Sequence, residues 1–567
     1  MKQKITYFLL CILCCAGTFT SCSDVPDAAA LAPKDAAVVV VMDVKDFLEK
    51  SDLGHNEDLQ SMMDKALDKE DVSSKATKKI KEYIEDPMSM GFDLSKALVF
   101  FAADKSVFEN EAALLGCVDD EDNLKEFMNM IAYENDLDKV KESKYDLYYF
   151  RDGRSLLVFN DDYFLFTEIS WDQYSDNGYD AEEATPEALK AISKLFELEK
   201  DRSVAENEAF TELCSRDGFV KLFVSGAGLN EIENVQREFE PLEKMDINLA
   251  DYALLASLNA EDGEATLEAE VMGLNEKAQA KLAEQMYLKP VKGTFLNYMD
   301  QNAILSAVVG FDGHKVWNVI EEIGKKQGKS FNEDTDMIKQ LLNSMQGDVA
   351  YQFTNFKDEY NMEMTAYVSS DNVDLVHTLQ PLTGAQSVGE NKYCIPSVFG
   401  SRYSTSYYEP YDSVAVDYDE YDSYGDYDSY DSYNEYNAYS AETSDNSSSD
   451  LMFGWKDKAN YFITGKNPVA FKKPSSPVDE ENYKNRMVYV RFNPNALLKA
   501  DCFEEIRGEE EFAMAKKFCE PIDCVELYVE NESPCKVTLR LVMTEKDTNP
   551  LKLIMEKSIS ILKKKIR

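Results

Sequence analysis

AAVVVVMDVKDFLEKSDL, residues 36–53, decides how the rest of this chain is read. Four consecutive valines, Val38 to Val41, favour an extended backbone, because branching at Cβ restricts χ1 and suits a pleated surface. After Asp43 the apolar residues Val44, Phe47 and Leu48 recur at helical spacing, so the stretch predicts a strand feeding directly into a helix. The same pattern returns at 219–239 (FVKLFVSGAGLNEIENVQREF), 303–323 (AILSAVVGFDGHKVWNVIEEI) and 487–503 (MVYVRFNPNALLKADCF). Four copies imply a repeated plan.

Outward from the first copy, helical patterns at 58–67 and 76–84 precede predicted strands at 97–102 and 112–118, then a helix at 123–132. Strands at 146–150, 155–160 and 163–169 follow, separated by the turn formers Asp152-Gly153 and Asn160-Asp161-Asp162. Helices at 186–198 and 208–214, a hairpin at 252–258 and 264–272, and a helix at 275–287 complete a first half, residues 34–290. In residues 291–567 the order repeats. A helix at 337–345, a turn at Gln346-Gly347-Asp348, strands at 349–353 and 362–368 and a helix at 373–379 lead to strands at 393–399, 451–455 and 461–464. A strand pair at 525–530 and 536–542 and a helix at 549–563 close the chain. LLVFNDDYFLFTE (156–168) and LMFGWKDKANYFITG (451–465) align strand for strand. The expected fold class is α+β: two tandem similar halves of antiparallel sheet, each covered on one face by helices and related by internal duplication.

Residues 402–450 are different material. Tyr418, Tyr421, Tyr424, Tyr427, Tyr430, Tyr433, Tyr436 and Tyr439 fall every third residue among Asp, Ser, Glu, Asn and Gly. Period three matches neither helix nor strand, and the segment has almost no aliphatic side chains, so a disordered insert is expected. It stands where the first half has the small turn 151–154. A solvated loop, weak calcium capture and an aromatic–acidic contact arm all suit it, although no EF-hand spacing occurs. Asp412-Ser413-Val414 within it is similar to the short O-glycosylation site of gut-anaerobe bacteria.

At the N-terminus Lys2 and Lys4 precede an apolar run to Phe19, too short to span a bilayer but suited to an export signal over residues 1–21. Phe19-Thr20-Ser21-Cys22 looks like a bacterial lipobox, which makes Cys22 the expected lipidation site and residues 22–33 an acylated tether. Several acyl chains together hold a protein firmly to a membrane. No later stretch has the apolar length of a membrane-crossing helix. The chain carries 106 Asp plus Glu against 60 Lys plus Arg, a net −46, and no clustered basic face, so nucleic acid is not an expected partner. Of 11 cysteines, setting aside Cys11, Cys14, Cys15 and Cys22 leaves an odd number. Cys117, Cys214 and Cys394 read as core residues. For Cys502, Cys519, Cys524 and Cys535 buried thiols rank first, one or two disulfides second, and a metal site last.

Nothing announces catalysis. His55, His314 and His377 lack partners at metal-ligand spacing, and there is no nucleophile elbow, phosphate-binding loop or kinase signature. Gly226-x-Gly228 follows a strand and opens a helix, but Glu231 stands where a dinucleotide loop needs its third glycine. With 106 acids, no carboxylate pair can be singled out for glycosidase chemistry. No catalytic, cofactor-binding or metal-binding residue is therefore assigned.

The lipobox leader, PKDAAVVVVMDVKDFLEKSDL (33–53), LLVFNDDYFLF (156–166) and VAENEAFTELCSRDGFVKLFVSG (204–226) together resemble the domain of unknown function 4836 family, envelope lipoproteins of Bacteroides-like bacteria. The resemblance covers nearly all of the chain after the leader except the insert. It implies an envelope location and an architecture, and carries over no activity, cofactor or site residue. The expected function is that of a non-enzymatic lipoprotein on the periplasmic or outer face of the outer membrane, binding a protein or polysaccharide partner through a sheet face or the groove between halves. The alternative is a hydrolase acting on envelope or dietary polymers.

Overall fold

Backbone hydrogen bonding gathers the strands of the described residues into one antiparallel sheet of 20 strands. The structure is a computed structural model that describes residues 25–62, 78–80, 82–83, 86–103, 111–135, 138–141, 144–150, 155–168, 189–190, 192–232, 235–239, 246–284, 288–326, 333–358, 361–371, 373–396, 450–465, 469–531 and 535–566. The first half contributes β1 (Val38–Met42), β2 (Leu98–Ala103), β3 (Glu111–Cys117), β4 (Asp138–Lys141), β5 (Asp146–Tyr149), β6 (Ser155–Phe159), β7 (Tyr163–Glu168), β8 (Val220–Ser225), β9 (Tyr252–Glu261) and β10 (Glu264–Gly273). The second contributes β11 (Leu305–Asp312), β12 (Gln346–Asp358), β13 (Asn361–Ser369), β14 (Gln386–Gly389), β15 (Lys392–Ile395), β16 (Asp450–Lys456), β17 (Ala459–Gly465), β18 (Arg486–Phe492), β19 (Ile522–Glu530) and β20 (Lys536–Met543).

The pairings run β4-β5-β6-β7-β3-β2-β1-β8-β9-β10 through the first half. They cross from β10 to β20 and continue β20-β19-β18-β11-β12-β13-β17-β16-β15-β14. Read outward from the β10–β20 junction, each strand of one run faces its counterpart ten strands later in the other. The two halves thus share one sheet and one strand order.

Alternation along the strands sorts side chains onto two faces. On the first face Val39 and Val41 join Val99, Phe101, Phe223 and Leu255 in a core roofed by residues 28–32 and by Phe210 and Leu213 of the helix Glu208–Cys214. The equivalent core of the second half gathers Val308, Ala350, Tyr367, Tyr461 and Tyr489 under Phe295 and Met299. On the second face Leu98, Tyr148, Leu157 and Phe159 lie under Leu124, Phe127 and Met128 of the helix Glu121–Asn135. The matching cluster of Val376, Ala385 and Phe453 lies by the helix Asp374–Thr383. Helices were expected on one face of each sheet. The structure places a core on both faces, because the valine-rich strands are apolar on both sides and each side needs cover.

The deciding stretch behaves as read. Asp43 ends β1 and caps the helix Val44–Ser51, its Oδ1 accepting from the Asp46 N–H at 2.9 Å. Asp312 does the same at the end of β11, accepting from Lys315 N–H at 3.1 Å in the first turn of the helix Gly313–Lys326. The second copy differs: its first helix is only Gly226–Asn230. Edge strands β4 and β14 and the helix Glu510–Cys519 are additions to the sequence reading, and Gln346-Gly347-Asp348 begins β12 instead of forming a turn. Asp450 starts β16, so the insert ends before it. The leader with Cys22, the turn 151–154 and residues 397–449, with the tyrosine repeat and Asp412-Ser413-Val414, lie outside the described residues.

Two long-range contacts lock the halves further. The helix Pro550–Ile566 leaves the second half and lies on the second face of the first, burying Ile559 near Leu48 and Phe127. Its Lys552 pairs with Asp52 at 2.6 Å and its Lys563 with Asp58. At the entry to the second half, Lys289 N–H donates to Gly310 O at 3.0 Å. A Cβ on Gly310 would sit 1.8 Å from the Lys289 carbonyl oxygen. Gly310→Ala is therefore expected to lower the urea midpoint of the purified chain by a margin equivalent to about 1–3 kcal/mol. An unchanged midpoint would mean that residues 289–291 do not pack on β11.

Candidate functional site

Where the halves meet, the usual sorting of apolar and polar side chains is inverted. β10 directs Glu264, Thr266, Glu268 and Glu270 to the first face, between its two cores, and Ala265, Leu267, Ala269 and Val271 to the second. β20 answers with Lys536, Thr538 and Arg540 on the first face and Val537, Leu539 and Leu541 on the second. Charge is satisfied locally on the first face. Lys536 meets Glu268 at 2.5 Å, and Arg216 pairs with buried Glu270 and, at 2.9 Å, with Glu212.

The densest polar group is built on β18, β19 and β20. Glu526 is buried, and its Oε1 accepts from the Tyr489 hydroxyl while Oε2 accepts from Arg540 Nε at 2.8 Å and from a second Arg540 nitrogen. Arg540 also reaches Glu264 of the first half at 3.4 Å. The Arg486 guanidinium lies 3.7 Å from the centroid of Tyr528, and Tyr483 packs on Tyr489 at 4.1 Å. Arg491 donates to Gln301 O at 2.6 Å and approaches Asp523 at 3.5 Å. Burial raises the Glu526 carboxyl, but hydrogen bonds from Tyr489 and Arg540 with the charges of Arg540 and Arg491 outweigh it and hold it below its ordinary value. Burial also drives the Tyr489 hydroxyl upward and the Cys524 thiol to about 12.

The same positions in the first half are apolar. Counted from the equivalent caps Asp43 and Asp312, Phe223 stands for Tyr489, Ala253 for Glu526, Leu255 for Tyr528 and Met272 for Arg540. One geometry thus supports an oily core in one half and a Tyr–Glu–Arg network in the other. A buried ion pair is rarely more stabilising than an apolar replacement, so its presence marks a specialised place. Chemically it is a fixed anion: both Glu526 oxygens are engaged, which suits holding the seam in register and does not suit proton transfer.

The opposite side of the seam is a partly exposed apolar floor. Leu258, Leu267, Leu539 and Leu527 are successive cross-strand neighbours, Ala256, Ala269, Val537 and Val529 form the next row, and Leu254 and Val271 a third. Leu267 is 39% exposed, Val271 42%, Val537 36% and Leu539 39%. Covering what each still exposes would contribute about 1 kcal/mol per side chain. Grouped on adjacent strands, they form a contiguous patch of the kind that marks an interaction surface.

The residues raised by sequence fall elsewhere. His314 Nδ1 lies 2.7 Å from Asn343 Oδ1 and His377 Nε2 3.1 Å from Asn391 Oδ1, while His55 ends the short turn Leu53–His55. Gly228 packs against backbone, a Cβ there lying 2.6 Å from Ala37 Cα, so the glycine serves helix–strand contact. Cys502, Cys519, Cys524 and Cys535 are free thiols, which removes the disulfide alternative, and Cys524 is buried beside Glu526. Cys117 and Cys214 are buried and Cys394 is half-buried. Among the described residues no group of three or more His, Cys, Asp or Glu is placed to hold a metal ion, and no helix is long and apolar enough to cross a membrane.

Compared with known families, residues 29–392 match the profile described as domain of unknown function (DUF4836), more than half of the chain. The chain belongs to that family. The matched span runs through the whole first half and stops at the first residue of β15, so it includes Glu264 but not Glu526 or Arg540. No curated protein matches the chain. Two solved structures are similar, crystal forms IV and I of TP0453, each 13% identical with a TM-score of 0.21; they cover 43% and 47% of this chain and 81% and 88% of their own.

Glu526→Ala leaves a buried hydroxyl and guanidinium without their anion and is expected to cost about 3–5 kcal/mol in chemical denaturation. The triple change Tyr489→Phe, Glu526→Leu, Arg540→Met restores most of that loss. If the triple variant is as unstable as the single one, the network is not the reason. The lowered carboxyl also sets a pH window. Its stabilisation is fully present above the ordinary value of 4.5 and is lost as pH falls through the lower folded value. Glu526→Gln should therefore lose less stability than the native chain on acidification from pH 5 to 3, with urea midpoints compared at each pH. Parallel profiles would contradict the assignment.

Proposed function

We propose that the chain is an envelope lipoprotein, tethered through Cys22 to the outer membrane, that acts as a non-enzymatic binding protein for another protein. The supporting observation is the apolar floor at the β10–β20 seam. Its rows of Leu, Val and Ala offer no hydrogen-bonding side chain, which disfavours a polysaccharide and favours a partner bringing apolar side chains of its own. The polar network on the other face holds the floor's strands in register without taking part in recognition.

In this reading the molecule is a duplicated unit whose two copies fused edge to edge. The equal strand order on either side of the seam supports that history, and so does the pairing of caps Asp43 and Asp312. Fusion through β10 and β20 widens one apolar strip into a floor that neither half owns alone.

Two measurements test the proposal. Cells fed an alkyne-bearing fatty acid should label the native chain and not Cys22→Ala; labelling of both would remove the anchor from the account. A photo-crosslinking residue at Leu539 should capture a discrete protein partner in intact cells, whereas one at exposed Lys473 should not. Equal adducts from both positions, or none from Leu539, would remove the floor as the binding surface.

A further inference from the structure

The helical layers on the second face differ between the halves in one respect. In the first half the helix Pro550–Ile566 lies over the helix Val44–Ser51, setting Met555 and Ile559 against the core and closing its ends with Lys552–Asp52 and Lys563–Asp58. By strand order, the counterpart of that helix is the one following β10, Glu276–Glu284, of nine residues against seventeen. It packs on its own strand β10. Among the described residues, the second-half layer is left without the cover that its twin has.

Its side chains register the difference. Ile320, Ile338 and Leu382 are exposed at 40%, 44% and 62%, one on each of the helices Gly313–Lys326, Glu333–Ser344 and Asp374–Thr383. Among the described residues, the first-half helices on this face carry no large exposed apolar side chain. Counted from the equivalent caps, Ile320 stands where Ser51 is buried. Between the second and third helices a small apolar crevice of about 70 Å³ opens, lined by Ile338, Leu341, Leu375, Leu379 and Leu382.

We infer that this layer is a docking site for an amphipathic helix of a partner protein, apolar on one side and lysine-bearing on the other. The twin layer supplies the description of the occupant, because there the chain itself provides a helix with Met and Ile inward and lysines on rim carboxylates. Asp336, exposed near the N-terminal end of its helix, offers a carboxylate as Asp52 and Asp58 do. The site is separate from the seam floor, and its failure would leave the proposed function standing.

The test uses a labelled peptide of residues 549–567, NPLKLIMEKSISILKKKIR, as a surrogate helix titrated into the mature chain and followed by fluorescence anisotropy. Saturable binding is expected, weakened at least tenfold in Ile320→Asp/Leu382→Asp. Circular dichroism and the melting temperature show whether that variant folds as the native chain does, as two exposed positions should allow. No saturable binding to the native chain, or equal binding to the variant, overturns the inference. So does a dimer of the unliganded chain that the same two substitutions dissociate, since the occupant would then be a second copy.

Discussion

The ladder between β10 and β20 is the interaction on which the molecule depends. Glu264 to Glu270 run antiparallel to Val542 to Lys536 in seven successive register pairs without a bulge. Each half would otherwise end in a long open strand, the kind of edge that recruits unwanted pairing. Joining them removes two such edges and, among the described residues, leaves the four-residue strands β4 and β14 at the rims. It also fixes which surfaces are continuous. Because strand pairing preserves the sense of the faces, the two first-face cores lie on the same side, and the apolar floor crosses the seam unbroken.

Asymmetry within this shared plan is the most informative feature. Phe223, Ala253, Leu255 and Met272 in one half occupy the positions of Tyr489, Glu526, Tyr528 and Arg540 in the other. Hydrophobic substitution at such positions is cheap in free energy, whereas a buried carboxylate must be matched by donors on every side. Arg540, which meets both Glu526 and Glu264, ties that requirement to the junction of the halves. Fixing a register is the best-attested use of a buried polar group, and a one-residue slip here would turn the charged row onto the apolar floor.

Much of the fold could be read from pattern because local signals agreed with tertiary need. The valine run with its Asp43 cap, the Asn160-Asp161-Asp162 turn and the alternation in β9 and β10 each specify one backbone conformation. Strands β4 and β14 escaped notice because four residues with a single apolar side chain, DKVK and QSVG, carry too little periodicity. The candidate site was harder to see. Glu526 and Arg540 look like ordinary outward charges of alternating strands, and only the cross-strand partners set by distant pairing reveal that one is buried. The alternation of residues 267–271, LEAEV, likewise names two faces without saying which one meets solvent.

Native-state hydrogen exchange tests the central claim most directly, by comparing amides of 264–270 and 536–542 with those of β1 and of the rim strand β14. Both seam strands should exchange as slowly as β1, which is paired on both edges inside the first half, and far more slowly than residues 386–389. Seam amides exchanging as fast as the rim strand would mean that the halves are not one sheet.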